Sequence, residues 1–87
     1  MIFITLHLSE SLLCILRDSN NPKPEKMELQ AAPGAPLRDL LISQNINPLL
    51  VPMAAQKQPD GTNMKIPLTT TLDADTHIIL YGPLAGG

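Results

Sequence analysis

Residues 72–87 read LDADTHIILYGPLAGG, and this stretch decides how the rest of the chain is interpreted. A strand is predicted over residues 76–82, since its side chains alternate between two faces. One face carries Ile78 and Leu80, and the other carries His77, Ile79 and Tyr81. The strand leads directly into a tail that ends in two glycines. Without β-carbons, such a tail can thread a narrow channel in extended form, although loose chain ends also tolerate glycine.

Length and composition predict one small domain over residues 1–87, with residues 82–87 as a flexible Gly-Gly tail. Apolar residues make up 44% of the 87 residues and aromatic residues 2%, so the core is expected to be aliphatic. The net charge is −2 and the six basic residues are scattered along the chain. A nucleic-acid-binding protein would need a clustered basic face, so we expect no such partner.

The single cysteine and the N-terminal residues bear on the compartment. One cysteine excludes an internal disulfide, which fits a reducing compartment. Residues 1–8 lack the basic region of a signal peptide, and no apolar run approaches the roughly 20 residues needed to span a bilayer. We therefore expect a cytoplasmic protein without membrane contact.

The N-terminal third predicts one clear element and one ambiguous one. Residues 2–8 alternate, so a strand with its even-numbered side chains inward is predicted, with His7 solvated on the more polar face. Residues 9–18 admit a short helix capped by Ser9 or a strand returning from the first. The apolar positions there do not alternate, which favours the helix. Cys14 lies in this apolar run and is expected to be a buried, inert thiol.

The remaining residues alternate between strand and helix signals. Residues 26–31 predict a strand, and Leu37, Leu40 and Leu41 share one face of a helix that Pro36 begins. Residues 49–55 predict a strand that Pro52 restricts to an edge or a bulge. The remaining predictions are a turn at residues 59–61, a short strand over 63–68, and turn roles for Asp73 and Asp75. The fold class is therefore α+β, a mixed sheet with one main helix packed across one face.

This order of elements, ending in a strand and Gly-Gly, resembles the ubiquitin-like β-grasp fold. The terminal stretch quoted above resembles the end of the ThiS/MoaD sulfur-carrier family, and residues 32–41, APGAPLRDLL, resemble that family's approach to its helix. The resemblance covers residues 26–46 and 66–87. It is loose over residues 9–25 and requires residues 9–18 to supply the second strand. The segment between residues 53 and 66 is longer than the compact hairpin that this family often has there. In it, Asp60-Gly61 takes the place of the family's Asn-Gly turn.

The resemblance implies a sulfur carrier that has no enzymatic activity, cofactor or metal of its own. An E1-like adenylating enzyme of the MoeB/ThiF type would activate the Gly87 carboxylate with ATP and magnesium. A sulfur donor would then form a thiocarboxylate, which delivers sulfur for molybdopterin or thiamine biosynthesis. The second implied partner is the large subunit of a molybdopterin or thiazole synthase.

The resemblance also assigns roles to individual residues. Gly86 and Gly87 would carry the chemistry. The expected partner contacts are Ile79, Tyr81, Pro83, Leu84 and Ala85. Two alternatives share the fold: a ubiquitin-like modifier conjugated through Gly87, and an interaction module whose glycines are incidental. The sequence shows no paired catalytic carboxylates, no His/Cys cluster with metal-ligand spacing and no phosphate-binding glycine loop.

Overall fold

A computed structural model of the protein describes residues 1–83. Seven strands and two α-helices follow one another within these residues. In chain order they are β1 (Ile2–Leu8), α1 (Glu10–Asp18), β2 (Lys26–Ala31), β3 (Ala35–Pro36), α2 (Leu37–Ser43), β4 (Met53–Lys57), β5 (Asn63–Ile66), β6 (Thr71–Leu72) and β7 (Thr76–Tyr81). A short 3₁₀ helix, Pro48–Leu50, precedes β4. The α+β class predicted from the sequence is confirmed.

Five strands form one mixed sheet in the order β2-β1-β7-β4-β5, and β3 pairs with β6 in a separate two-stranded ladder. The central neighbours β1 and β7 are parallel, whereas the other pairs in the large sheet are antiparallel. The predicted alternation of β1 is confirmed, because its even-numbered side chains are buried. Ile78 and Leu80 of β7 lie on the same side and belong to the same apolar cluster.

Two helices, not one main helix, cover this apolar face. α1 has nine residues and α2 has seven, and both contribute leucines to the core. Leu12 and Leu16 of α1 lie one turn apart and are buried, as are Leu37 and Leu41 of α2. The sheet therefore carries two helices where one main helix was predicted, because the short apolar run of residues 10–18 also packs its leucines into the core.

The strand that pairs with β1 is β2, and residues 9–18 do not supply it. The ladder runs from Ile2 opposite Ala31 to His7 opposite Lys26. The helix favoured by the local pattern is confirmed, and the strand that the family resemblance required there is absent. Ser9 caps α1 by accepting a hydrogen bond from the Leu12 amide, as predicted. The chain thus inserts a helix into the connection between its first two strands.

β4 differs from its prediction in both bounds and position. Residues 48–50 form the 3₁₀ helix, so the strand begins at Met53 and not at Leu49. The strand lies between β7 and β5, which excludes the predicted edge position. Pro52 directly precedes the strand and so removes no hydrogen bond from its ladder. Pro36 likewise precedes α2 as its N-cap and does not lie in the first turn.

The turn after β4 and the end of α2 follow the local sequence. Gly61 has φ of 92° in the predicted turn, and Asp60 accepts hydrogen bonds from the Thr62 amide and hydroxyl. Asn45 follows α2 with φ of 60°, a left-handed conformation that asparagine tolerates at a helix end. Within residues 1–83, neither α-helix has the length and apolar character needed to cross a bilayer.

Candidate functional site

The end of β7 is held against the start of α1. The Ser9 amide donates a hydrogen bond to the Leu80 carbonyl (2.9 Å), one residue beyond the β1–β7 ladder. The Gly82 amide then donates to the Ser9 hydroxyl oxygen (3.2 Å), which also accepts from the Leu12 amide (3.4 Å). One serine therefore joins the first strand, the first helix and the point where the chain leaves the sheet.

Gly82 is buried where it meets α1, and only a residue without a side chain fits there. A β-carbon at this position would lie 2.6 Å from the Leu12 nitrogen and 2.9 Å from the Ser11 carbonyl carbon. Those atoms belong to the helix backbone, so they cannot turn aside as a flexible side chain would. Gly82 has no positive φ. Close approach, and not backbone conformation, therefore requires glycine.

Among residues 1–83, no helix covers the side of the five-stranded sheet opposite the core, and we call this side the open face. Its side chains follow from the strand registers. They include Phe3, Thr5, His7, Lys26, Glu28, Met53, Ala55, Lys57, Lys65, His77, Ile79 and Tyr81. Phe3 is 54% exposed, while Ile79 and Tyr81 are half-buried. Aromatic residues are enriched at protein–protein interfaces.

Two histidines meet on the open face. His7 Nε2 and His77 Nδ1 are 3.0 Å apart, and the ring planes differ by 27°. The ring centroids are farther apart than these nitrogens, at 5.3 Å. The two nitrogens therefore lie between the rings, which meet edge to edge through a hydrogen bond. Such a bond needs one neutral ring as acceptor.

Several basic groups surround the histidine pair. Partial burial lowers the pKa of His7 below its ordinary value, and the positive charges of Lys57, His77 and Lys26 lower it further, in that order. Glu25 acts in the opposite direction and only partly offsets them. A protonated ring at position 7 is thus disfavoured, which supports a neutral His7 in the hydrogen bond.

The predicted site residues divide into two groups. Ile79 and Tyr81 both lie on the open face, where Ala55 and Met53 are their respective partners on β4. Pro83 is half-buried beside the end of β7. The other predicted site residues lie outside the described part of the chain, and they are Leu84, Ala85, Gly86 and Gly87. The described residues bring Ile79, Tyr81 and Pro83 to the end of the strand from which that tail starts.

The sequence interpretation missed other residues of this region. The sequence indicates Ser9 only as a helix cap, and Gly82 only as the end of the last strand and the start of the tail. Their contact was missed because it joins positions 73 residues apart. His7 and His77 both occupy the polar face of a predicted strand, and that shared position was the signal available. Cys14 is half-buried and its sulfur lies 3.4 Å from Arg17 Nη2, so the prediction of a buried thiol is wrong.

The described residues offer little acid–base or metal chemistry. Asp75 accepts a hydrogen bond from the Phe3 amide (2.8 Å), which fits its predicted role in a turn. Between Met1 and Pro83, no three His, Cys, Asp or Glu side chains are grouped as metal ligands. A groove of about 420 Å³ is lined by Pro52, Met53 and residues 65–68, among which Lys65 alone is ionisable.

Comparison with known proteins adds no assignment. No protein-family model matches the sequence, and no curated protein matches it.

Proposed function

We propose that this protein is a sulfur carrier of the ThiS/MoaD type, with a ubiquitin-like β-grasp fold. An E1-like enzyme would adenylate the Gly87 carboxylate with ATP and magnesium. A sulfur donor would then displace AMP, leaving a thiocarboxylate for molybdopterin or thiamine biosynthesis. The synthase subunit that receives the sulfur would be the second partner.

The observation that carries the proposal is the position of β7. This strand pairs with β1 on one side and β4 on the other, and its end at Tyr81 is followed by the buried Gly82. A central strand holds the base of a reactive tail in a fixed place on the body. The sheet order and a helix packed on the apolar face are compatible with a β-grasp fold.

The nature of the remaining surface also supports a carrier. The chemistry of a carrier resides in its terminal carboxylate. The folded domain therefore needs only to fold and to be recognised by its partner enzymes. The open face offers Phe3, Ile79 and Tyr81 for recognition, whereas the described residues lack a catalytic cluster. This combination favours a protein substrate of other enzymes over an enzyme.

The test detects sulfur at Gly87. In a Cys14→Ser chain that ends at Gly87, no cysteine thiol remains, so a thiol-alkylating reagent would report only a thiocarboxylate. Incubation with an E1-like adenylating enzyme, ATP, magnesium and sulfide should raise the intact mass by about 16 Da, the difference between sulfur and oxygen. The same chain without Gly87 is the matched control and should gain neither mass nor label.

The outcomes separate the proposal from its two alternatives. If E1-like enzymes from the source organism leave the intact terminus unmodified, the carrier assignment is wrong. Lysine-linked adducts without a thiocarboxylate would instead identify a ubiquitin-like modifier.

An interaction module is the second candidate, and the exposed Phe3 on the open face favours it. In that case a partner would bind equally well after removal of Gly86 and Gly87. A Phe3→Ser substitution would weaken the binding. A carrier would lose sulfur transfer on the same deletion.

A further inference from the structure

We infer that Ser9 and Gly82 are positioning residues that fix the direction in which the C-terminal tail leaves the sheet. This inference rests on the proposed function, because it concerns how the tail is presented to the activating enzyme. The two residues and the backbone of Leu12 form what we call the exit clamp.

The first part of the exit clamp is the Ser9 hydroxyl. It accepts hydrogen bonds from the Gly82 amide (3.2 Å) and the Leu12 amide (3.4 Å), and the Ser9 amide donates to the Leu80 carbonyl (2.9 Å). The β1–β7 ladder ends at Leu8 opposite Leu80. Ser9 therefore extends the restraint on β7 by two residues, to the point where the chain leaves the sheet.

The second part is the close approach of Gly82 to α1. The Leu12 nitrogen and Cα would lie 2.6 and 2.8 Å from a β-carbon at position 82. The chain therefore leaves the sheet in contact with the helix backbone, and the helix blocks movement toward that side. The helix that restricts the tail is α1, which lies in the connection between β1 and β2. In this connection the family resemblance required a strand.

The length of the tail turns a small change at its base into a large one at its tip. Five residues from position 83 to 87 span at most roughly 17 Å when extended. If a partner holds the tail extended, a rotation of about 30° at position 82 would displace its end by up to roughly 9 Å. Misplacement of reacting groups by about 1 Å can lower a rate by a factor of about 100. A fixed exit direction thus increases the fraction of bound carriers whose terminus lies in the active site.

The first experiment compares adenylation kinetics of the wild type, Ser9→Ala and Ser9→Thr with an E1-like enzyme that activates the wild type. We expect Ser9→Ala to lower kcat about tenfold with little change in KM, because the body still docks while its tail is misdirected. Ser9→Thr keeps the hydroxyl and should restore most of the rate. A merely structural role would lower the concentration of folded carrier, which raises the apparent KM and leaves kcat unchanged.

The second experiment measures exchange of the Gly82 amide hydrogen by NMR, without any enzyme. Loss of the acceptor in Ser9→Ala should accelerate this exchange at least about tenfold, while the Ile78 and Leu80 amides keep their protection. Unchanged exchange at Gly82, or a wild-type kcat in Ser9→Ala, would overturn the inference. If no enzyme activates the wild type, the proposed function fails. The exchange rates alone then decide whether Ser9 restrains Gly82.

Discussion

At the scale of single residues, glycine is required at position 82 for a different reason from the one proposed at position 86. Gly82 is buried against the backbone of α1, so any side chain would collide with its own molecule. Gly86 lies outside the described residues, and the proposed function places its constraint in a partner's channel. Substitutions at the two positions should therefore affect different properties, folding at position 82 and activation at position 86.

The predicted channel is tested by adding bulk at Gly86. We expect Gly86→Ala to weaken activation in part and Gly86→Val to abolish it, since a β-branched side chain widens the backbone and cannot rotate away. The measurement is the adenylation rate, followed through pyrophosphate release at matched carrier concentrations. All variants should keep the denaturation midpoint of the wild type. Equal adenylation rates for the three chains would contradict the channel argument.

The histidine pair predicts a stability that depends on pH. The pKa of His7 is lower in the folded protein than in the unfolded chain, so the unfolded state binds a proton first as the pH falls. Stability should therefore be full above about pH 6.5 and decrease below it, until the lowered pKa of folded His7 is reached. Because the ring is only partly buried, the decrease should be modest.

Urea midpoints between pH 7.5 and pH 5 measure this effect, with His7→Gln as the comparison. The variant should lose less stability than the wild type over the same interval. Asp60 does not interfere, because hydrogen bonds from the Thr62 hydroxyl and amide lower the pKa of its carboxyl below the ordinary 3.8. A wild type and variant with parallel pH profiles would show that the His7–His77 contact has no such role.

At the scale of secondary-structure elements, the local sequence predicts each element best where its own pattern is regular. β1 and β7 alternate cleanly. The even-numbered face of β1 is buried as predicted, and Ile78 and Leu80, predicted to share a face, are both buried in β7. α1 forms because Ser9 caps it and its leucines recur at helical spacing, although the family resemblance favoured a strand. The start of β4 could not be predicted, since the apolar run from Leu49 suits a strand as well as the 3₁₀ helix that Asn47 caps.

The packing of α2 provides a matched pair of substitutions on one helix. Leu40→Ala should lower the free energy of unfolding by about 2–5 kcal/mol, because Leu40 is buried in the core. Ile42→Ala should cost less than about 0.5 kcal/mol, because Ile42 is 55% exposed. Denaturant midpoints would measure both effects. Equal losses for the two variants would mean that the orientation of α2 is wrong.

The same denaturant assay tests whether the C-terminal tail contributes to the stability of the fold. Deletion of Gly86 and Gly87 should leave the denaturant midpoint nearly unchanged, since a tail beyond the last strand is expected to bury little surface. A deletion more damaging than Leu40→Ala would identify the tail as structural, which would contradict its proposed role.

At the scale of the whole molecule, the sheet order could not be predicted from local patterns. Placing β7 beside β1 depends on pairings between residues about 70 positions apart, such as Leu6 with Ile78. Alternation within a strand records which side is buried but not which strand lies beside it. The contacts that define the candidate site, Ser9 with Gly82 and His7 with His77, depend on the same pairing and were missed for the same reason.

The parallel arrangement of β1 and β7 has a mechanical consequence. Five residue pairs, from Ile4–Thr76 to Leu8–Leu80, connect the two strands side by side. When a partner pulls on the chain beyond Pro83 while the start of β1 is held, the force acts along both strands in opposite directions. The hydrogen bonds between the two strands are then loaded in shear. They bear the force simultaneously and do not break one after another. A tail that is grasped and drawn into another protein is therefore anchored in the direction that its sheet resists best.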